Sequence, residues 1–246
     1  MGVLGQRAVI RLQVGWVSAV GQRQQNQDCV LVGGMLSVGD VMMDTVLEVD
    51  AGRPVLLAVL DGLGGHAAGG VASRVAAGIL AGPPVPRDEE SLDGRVRQAH
   101  RTVAGLGRTL DGMAGMATTV AGFVVSPEAY HVFHLGDSAV FRWSEGSVGR
   151  LTAAHRVPAG GPGGGALTRC IGAGTEEAPT VDVFPLRRAV RLLACSDGVC
   201  DSVSLDDLRG VLGEGTPGDA ARGLVQLAWG SGSTDNMTAL VADVIP

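Results

Sequence analysis

Apolar and polar positions alternate loosely over residues 8–20, the two-residue period of a half-covered β-strand. Residues 28–49 read as a pair of strands around GGMLSVGD, whose glycines suit a turn. The run PVLLAVLDG predicts a buried strand that ends in a loop rich in chemistry. HAAGGVASRVAAGIL then reads as an alanine-rich helix, whose glycines lower local propensity and allow close packing. A polar, proline-bearing interruption covers 83–94, and a second helix is expected over roughly 91–110. Strands follow at 116–126, 129–136 and 139–144, and PAGGPGGGA at 158–166 must be a loop. AVRLLACSDG is a further strand entering a loop. SLDDLRGVL has a capping-box arrangement, Ser204 with Asp207, and places Leu205, Leu208, Val211 and Leu212 on one helical face. Another helix is expected at 218–229 with Pro217 near its start, and NMTALVADV closes as a strand.

The order is strands, helices, strands, helices, strand. It lacks the βα rhythm of a doubly wound sheet and predicts an α+β sandwich with antiparallel sheets and outer helices. No internal repeat or interdomain linker is visible, and 246 residues fit one large domain. Aromatic residues are 3% of the chain against 46% hydrophobic, so Val, Leu, Ile and Ala must build the core. The 19 basic residues are all arginine and face 25 acidic ones; a net charge of -6 argues against a nucleic-acid partner. Cys29, Cys170, Cys195 and Cys200 form no CxxC pair and read as reduced thiols. With no leader pattern and no apolar run of membrane-spanning length, a cytoplasmic protein without a membrane partner is expected.

The chemical signal is a set of aspartates where apolar strands end: Asp28, Asp61, Asp137, Asp197 with Asp201 four residues on, and Asp235. A lone Asp beside Gly is ordinarily a turn residue, and that reading fits each of them singly. Asp201 and Asp207 also suit an ordinary helix start, and Asp40, Asp44 and Asp50 read as surface charges. Carboxylates at strand ends can nevertheless converge across a sheet. Such crowding is costly unless something positive lies among the charges. Hard divalent cations prefer oxygen ligands. Two neighbouring cations can hold one phosphate and acidify a water for in-line attack.

The segments GQRQQNQD, AVLDGLGGH, GMATTVAGFVV, FHLGDSAVFRW, LTAAH, ALTRCIG, LLACSDGV and STDNMTALV give the resemblance its specificity. In order and spacing the chain resembles the bacterial-type PPM, or PP2C-like, metal-dependent serine/threonine protein phosphatases from about Val14 to Val244. The resemblance implies a four-layer αββα sandwich over residues 1–246, with a flap shortened to RVPAGGPGGG near 156–165. It implies two core Mn²⁺ or Mg²⁺ ions, Asp61 contacting both, the Gly62 carbonyl helping to hold one, and Asp197 and Asp235 completing the first ion's ligands. Arg23 would clamp the substrate phosphate, since a guanidinium fork matches phosphate oxygens. Asp28 would stand beside the metal waters, and Asn236 would support the loop around Asp235. Asp137 resembles a ligand of a third, weaker ion, with Asp201 where some members supply another. The implied partners are a phosphorylated protein substrate and an opposing Ser/Thr kinase, with the chain a monomer.

Several positions depart from the family pattern. Gln27 replaces a metal-associated Glu, Ala139 stands where an arginine is usual, and Leu63 occupies the position of a proposed acid-catalytic histidine in animal members. His66 reads either as approaching substrate or as packing on its helix, and His155 as holding a loop. Ser138 and Ser196 lack the Asp–His company of a nucleophile. The open edge left by a short flap also suits a small-molecule phosphatase, and Gln27 a weakly active or inactive regulatory binding module.

Overall fold

The computed structural model describes residues 9–50, 53–64, 68–158 and 165–246. β1 (Val9–Ala19) is followed by β2 (Cys29–Val32), β3 (Met35–Val38), β4 (Val41–Asp50), β5 (Val55–Leu60) and β6 (Gly62–Leu63). Helices α1 (Ala68–Leu80) and α2 (Glu89–Thr109) come next. Then follow β7 (Ala117–Thr118), β8 (Val120–Val125), β9 (Ala129–Leu135), β10 (Ala139–Ser144), β11 (Ser147–Arg150), β12 (Thr180–Pro185) and β13 (Val190–Cys195). Three helices, α3 (Asp197–Cys200), α4 (Leu205–Leu212) and α5 (Pro217–Gly230), precede β14 (Met237–Ile245).

One sheet runs β11-β10-β13-β14-β1-β4 and the other β12-β9-β8-β5-β2-β3. Their neighbouring strands pair antiparallel. The alternation of β1 sends Ile10, Leu12, Val14 and Trp16 to one face, where they meet Leu57, Val59 and Phe123 of the other sheet. The outer face of that second sheet is covered by α1 and α2, through Ala72, Ala76, Leu92 and Val96. The outer face of the first is covered by α3, α4 and α5, through Val199, Leu208 and Leu224. The expected four-layer αββα sandwich is therefore present, and β14 is almost uniformly buried because both of its faces are covered.

Differences from the expected elements have local causes. Residues 28–49 form three strands, because Gly33 and Gly34 at φ 57° and 97° turn the chain sharply between β2 and β3. β4 then joins the other sheet. β11 and β12 were not anticipated; both lie at sheet edges, and their mostly exposed or half-exposed side chains leave no pattern to read. α2 begins at Glu89 because Asp88 and Ser91 form a capping box. At α4 half of the expected box forms: Ser204 accepts from the Asp207 amide, but the Asp207 carboxylate takes the Ser204 hydroxyl proton instead of a backbone one. The glycine-rich loop expected at 158–166 falls mostly, at 159–164, outside the described residues, as does His66.

Candidate catalytic site

The site lies where loops from both sheets meet at one end of the sandwich. Asp61 follows β5. Its amide donates to Thr119 Oγ1 at 3.1 Å, and its carbonyl accepts from Thr118 Oγ1 at 2.8 Å and from the Thr119 amide at 2.9 Å. The two threonines of GMATTV thus fix the Asp61 backbone against β7 and β8. Gly62 packs on α1 so closely that a Cβ there would stand 2.2 Å from the Gly69 carbonyl oxygen. On the other sheet Asp197 follows β13 and opens α3, and a Cβ on Gly198 would stand 2.1 Å from the Asn236 carbonyl oxygen. Glycine is required at both positions because backbone meets backbone.

Asn236 ties the far ends of the chain together. Its Oδ1 accepts from the Gln27 amide at 2.8 Å, and its Nδ2 donates to the carbonyls of Val20 at 2.8 Å and Gln25 at 3.0 Å. This holds residues 20–27 against the approach to β14 and sets Arg23 beside Asp235, with an N–O separation of 2.6 Å. Asp28 is buried below them. Thr238 donates to its Oδ2 at 2.5 Å and Ser196 at 2.9 Å, while Oδ1 has no partner among the described residues. Ser196 therefore serves a carboxylate rather than acting as a nucleophile.

The result is a cleft of about 430 Å³ whose lining includes Arg23, Gln27, Asp61, Asp197, Asp235 and Asn236. Burial and mutual repulsion push Asp28, Asp61 and Asp197 toward the protonated form. Asp28 rises to about 7, first from desolvation, opposed by Thr238 and Ser196. Asp61 is raised by burial and then by Asp28 and Asp197. Asp197 rises to about 6 from burial, then Asp137 and Asp235, with Arg156 opposing. A buried Asp197 Oδ1 also lacks a hydrogen-bond partner among the described residues. Orphaned carboxylate oxygens in a crowd of raised carboxylates are the condition that a hard cation relieves. No group of three His, Cys, Asp or Glu side chains among the described residues could hold a metal by itself. Mg²⁺-type ions keep several waters, so an incomplete protein cage is compatible with them.

The remaining candidates lie around this cleft in different ways. Asp137 and Asp201 are not brought into its lining; both are bonded to Arg156. Leu63 and Gln27 do line it. His155 accepts the Gly136 amide on Nδ1 at 3.1 Å, donates its own amide to the Gly136 carbonyl at 2.9 Å and stacks on His134, which is the expected loop-holding role. Arg156 and Thr238 had no assigned part in the sequence. The one available hint for Arg156 was a charge in AAHRVPAG with no acid beside it, which must find partners elsewhere.

Known proteins fit this arrangement. A family description for protein phosphatase 2C matches residues 35–216. The chain belongs to the protein phosphatase 2C family. Serine/threonine protein phosphatase PstP of Mycobacterium tuberculosis is 32% identical over 214 residues, which are 77% of this chain and 40% of PstP. The chain thus spans less than half the length of that relative. Serine/threonine phosphatase stp of Listeria monocytogenes is 24% identical over 223 residues, 80% of this chain and 87% of that protein. The crystal structure of the PstP catalytic domain in complex with two manganese ions superposes with a TM-score of 0.79 at 27% identity, covering 97% of this chain and 100% of that one. Protein phosphatase 2C architecture thus extends through nearly the whole chain. Among the described residues no helix is long and apolar enough to cross a membrane.

Proposed function

We propose that this protein phosphatase 2C member hydrolyses phosphoserine and phosphothreonine in proteins with the help of two Mn²⁺ or Mg²⁺ ions. The observation that carries the reading is one cleft lined by Asp61, Asp197 and Asp235 with Arg23 at its rim, over orphaned oxygens of Asp28 and Asp197. Asp61, the Gly62 carbonyl, Asp197 and Asp235 would hold the ions. When bound, the ions supply positive charge to the phosphoryl oxygens and lower the pKa of the attacking water. Arg23 binds the phosphate by exchanging its Asp235 partner for phosphoryl oxygens, a match that its planar fork favours. Asp28 orients the attacking water through Oδ1, because Thr238 and Ser196 keep its other oxygen fixed. Leu63 carries no proton for the leaving oxygen, so a water or another group would have to supply it.

The kinship with PstP and with Listeria stp supports a bacterial setting in which the chain opposes a Ser/Thr kinase. We place it in the cytoplasm as a monomer, a single phosphatase domain over residues 1–246. The test is phosphate release from a phosphothreonine peptide with Mn²⁺ or Mg²⁺ titrated in. Turnover should require added metal and fall by at least about 100-fold in Asp61→Asn and Asp235→Asn, each folded by circular dichroism. A folded parent with no turnover across both titrations would replace this reading with that of a regulatory binding module.

A further inference from the structure

Arg156 stands among three carboxylates. Its Nε donates to Asp137 Oδ2 at 2.5 Å, and its two terminal nitrogens donate to Asp201 Oδ2 at 2.5 Å and Asp197 Oδ2 at 2.8 Å. The backbone delivers it there. Arg156 bridges Leu167, and the neighbouring Val157 amide donates to the Ala166 carbonyl at 2.9 Å. On the other side His155 is bonded in both directions to Gly136, the residue before Asp137. Burial lowers the Arg156 pKa, but hydrogen bonds and charge from Asp201 and Asp137 outweigh it and raise it overall.

Asp137 and Asp201 are the residues that the family resemblance assigns to a third, weaker cation. They do not fit one in this chain. One oxygen of each carboxylate is already bonded to a full positive charge, and a divalent ion on the same oxygens would be repelled at contact distance. Asp197 is divided between two environments: Oδ2 goes to Arg156, while the buried Oδ1 remains unpartnered. We propose that Arg156 is a resident substitute for the third cation. It neutralises Asp137 and Asp201, fixes the rotamer of Asp197, and excludes a third divalent ion. The inference concerns the same centre as the proposed function, but its test reads a different quantity, the number of sites gained.

The experiment counts Mn²⁺ bound to chelator-stripped protein by isothermal titration, with free Mn²⁺ followed by its paramagnetic resonance signal. Arg156→Ala and Arg156→Gln are compared with the parent; the Gln variant retains most of the side-chain bulk if the Ala variant does not fold. Each Arg156 variant should gain one weaker site relative to the parent, and adding Asp137→Asn to it should remove that site. A folded variant that gains no site overturns the inference. So does a parent that already binds three ions and loses one in Asp137→Asn. The two-ion reading is judged separately, by whether the parent itself binds two. A parent that binds none while the variant gains one would sink the proposed function and leave this inference standing.

Discussion

At the scale of single residues, the site depends on a side chain that binds one loop to another. Asn236 uses its amide oxygen and nitrogen to join Val20, Gln25 and Gln27 to the approach of β14. Asn236→Ala leaves three backbone groups to find other partners in a place that is 5% exposed at Asn236 itself. It should lower stability by about 1–3 kcal/mol in urea unfolding, the cost of deserting a buried polar group, since the three bonds lost are part-buried. A loss within the error of the measurement would mean that water replaces the amide at no cost. The carboxylates of the cleft were legible in the sequence because each stands at one end of an apolar run, Asp61 and Asp197 after it and Asp28 and Asp235 before it. Arg156 was not, because its three partners are 19, 41 and 45 positions away and only the fold makes them neighbours.

At the scale of elements, glycines divide into those that permit contact and those that merely loosen a helix. A Cβ on Gly15 of β1 would stand 2.3 Å from the Gly218 nitrogen, so α5 lies on β1 only because neither residue has a side chain. Gly94 of α2 is exposed and has nothing within 4 Å of such a Cβ. Gly15→Ala should therefore lower the thermal midpoint by an amount equivalent to about 1–3 kcal/mol. Gly94→Ala should raise it by about 0.4–1 kcal/mol through a less flexible unfolded chain. A rise in both would show that the less flexible unfolded chain, not packing, governs the pair. The positions of α1, α2, α4 and α5 were readable from periodicity and caps, whereas α3, read as a loop, and the edge strands β11 and β12 were not, since a single turn shows no period and partly covered edge residues obey no clear alternation.

At the scale of the molecule, the metal-free site makes stability depend on pH. Asp28 titrates near 7 in the fold against an ordinary value of 3.8, so the folded state holds a proton that the unfolded state releases. Its contribution is fully present below the ordinary value and is lost as pH rises through about 7. His155 acts in the opposite sense: lowered to about 4 from 6.5, it loses stability as pH falls across that interval. The chelator-stripped protein should thus melt lower at about pH 8 than at about pH 6, and Asp28→Asn should flatten that decline. Calorimetric scans across this range provide the check; equal slopes in parent and variant would remove Asp28 as the source. The sandwich class was legible from element order, but not which ends of the strands converge, because that depends on pairings such as β1 with β14.

That pairing also has a consequence in time. Ribosomes make the amino-terminal part of a chain first. Arg23, Asp28 and Asp61 are therefore synthesised well before Asp235 and Asn236, and Thr238 of β14 arrives later still to grip Asp28. Until β14 slots between β13 and β1, the first sheet is split in two and residues 20–27 lack the three bonds that Asn236 gives them. A nascent chain therefore lacks its cleft until β14 has emerged, and that strand closes the first sheet as a clasp closes a strap.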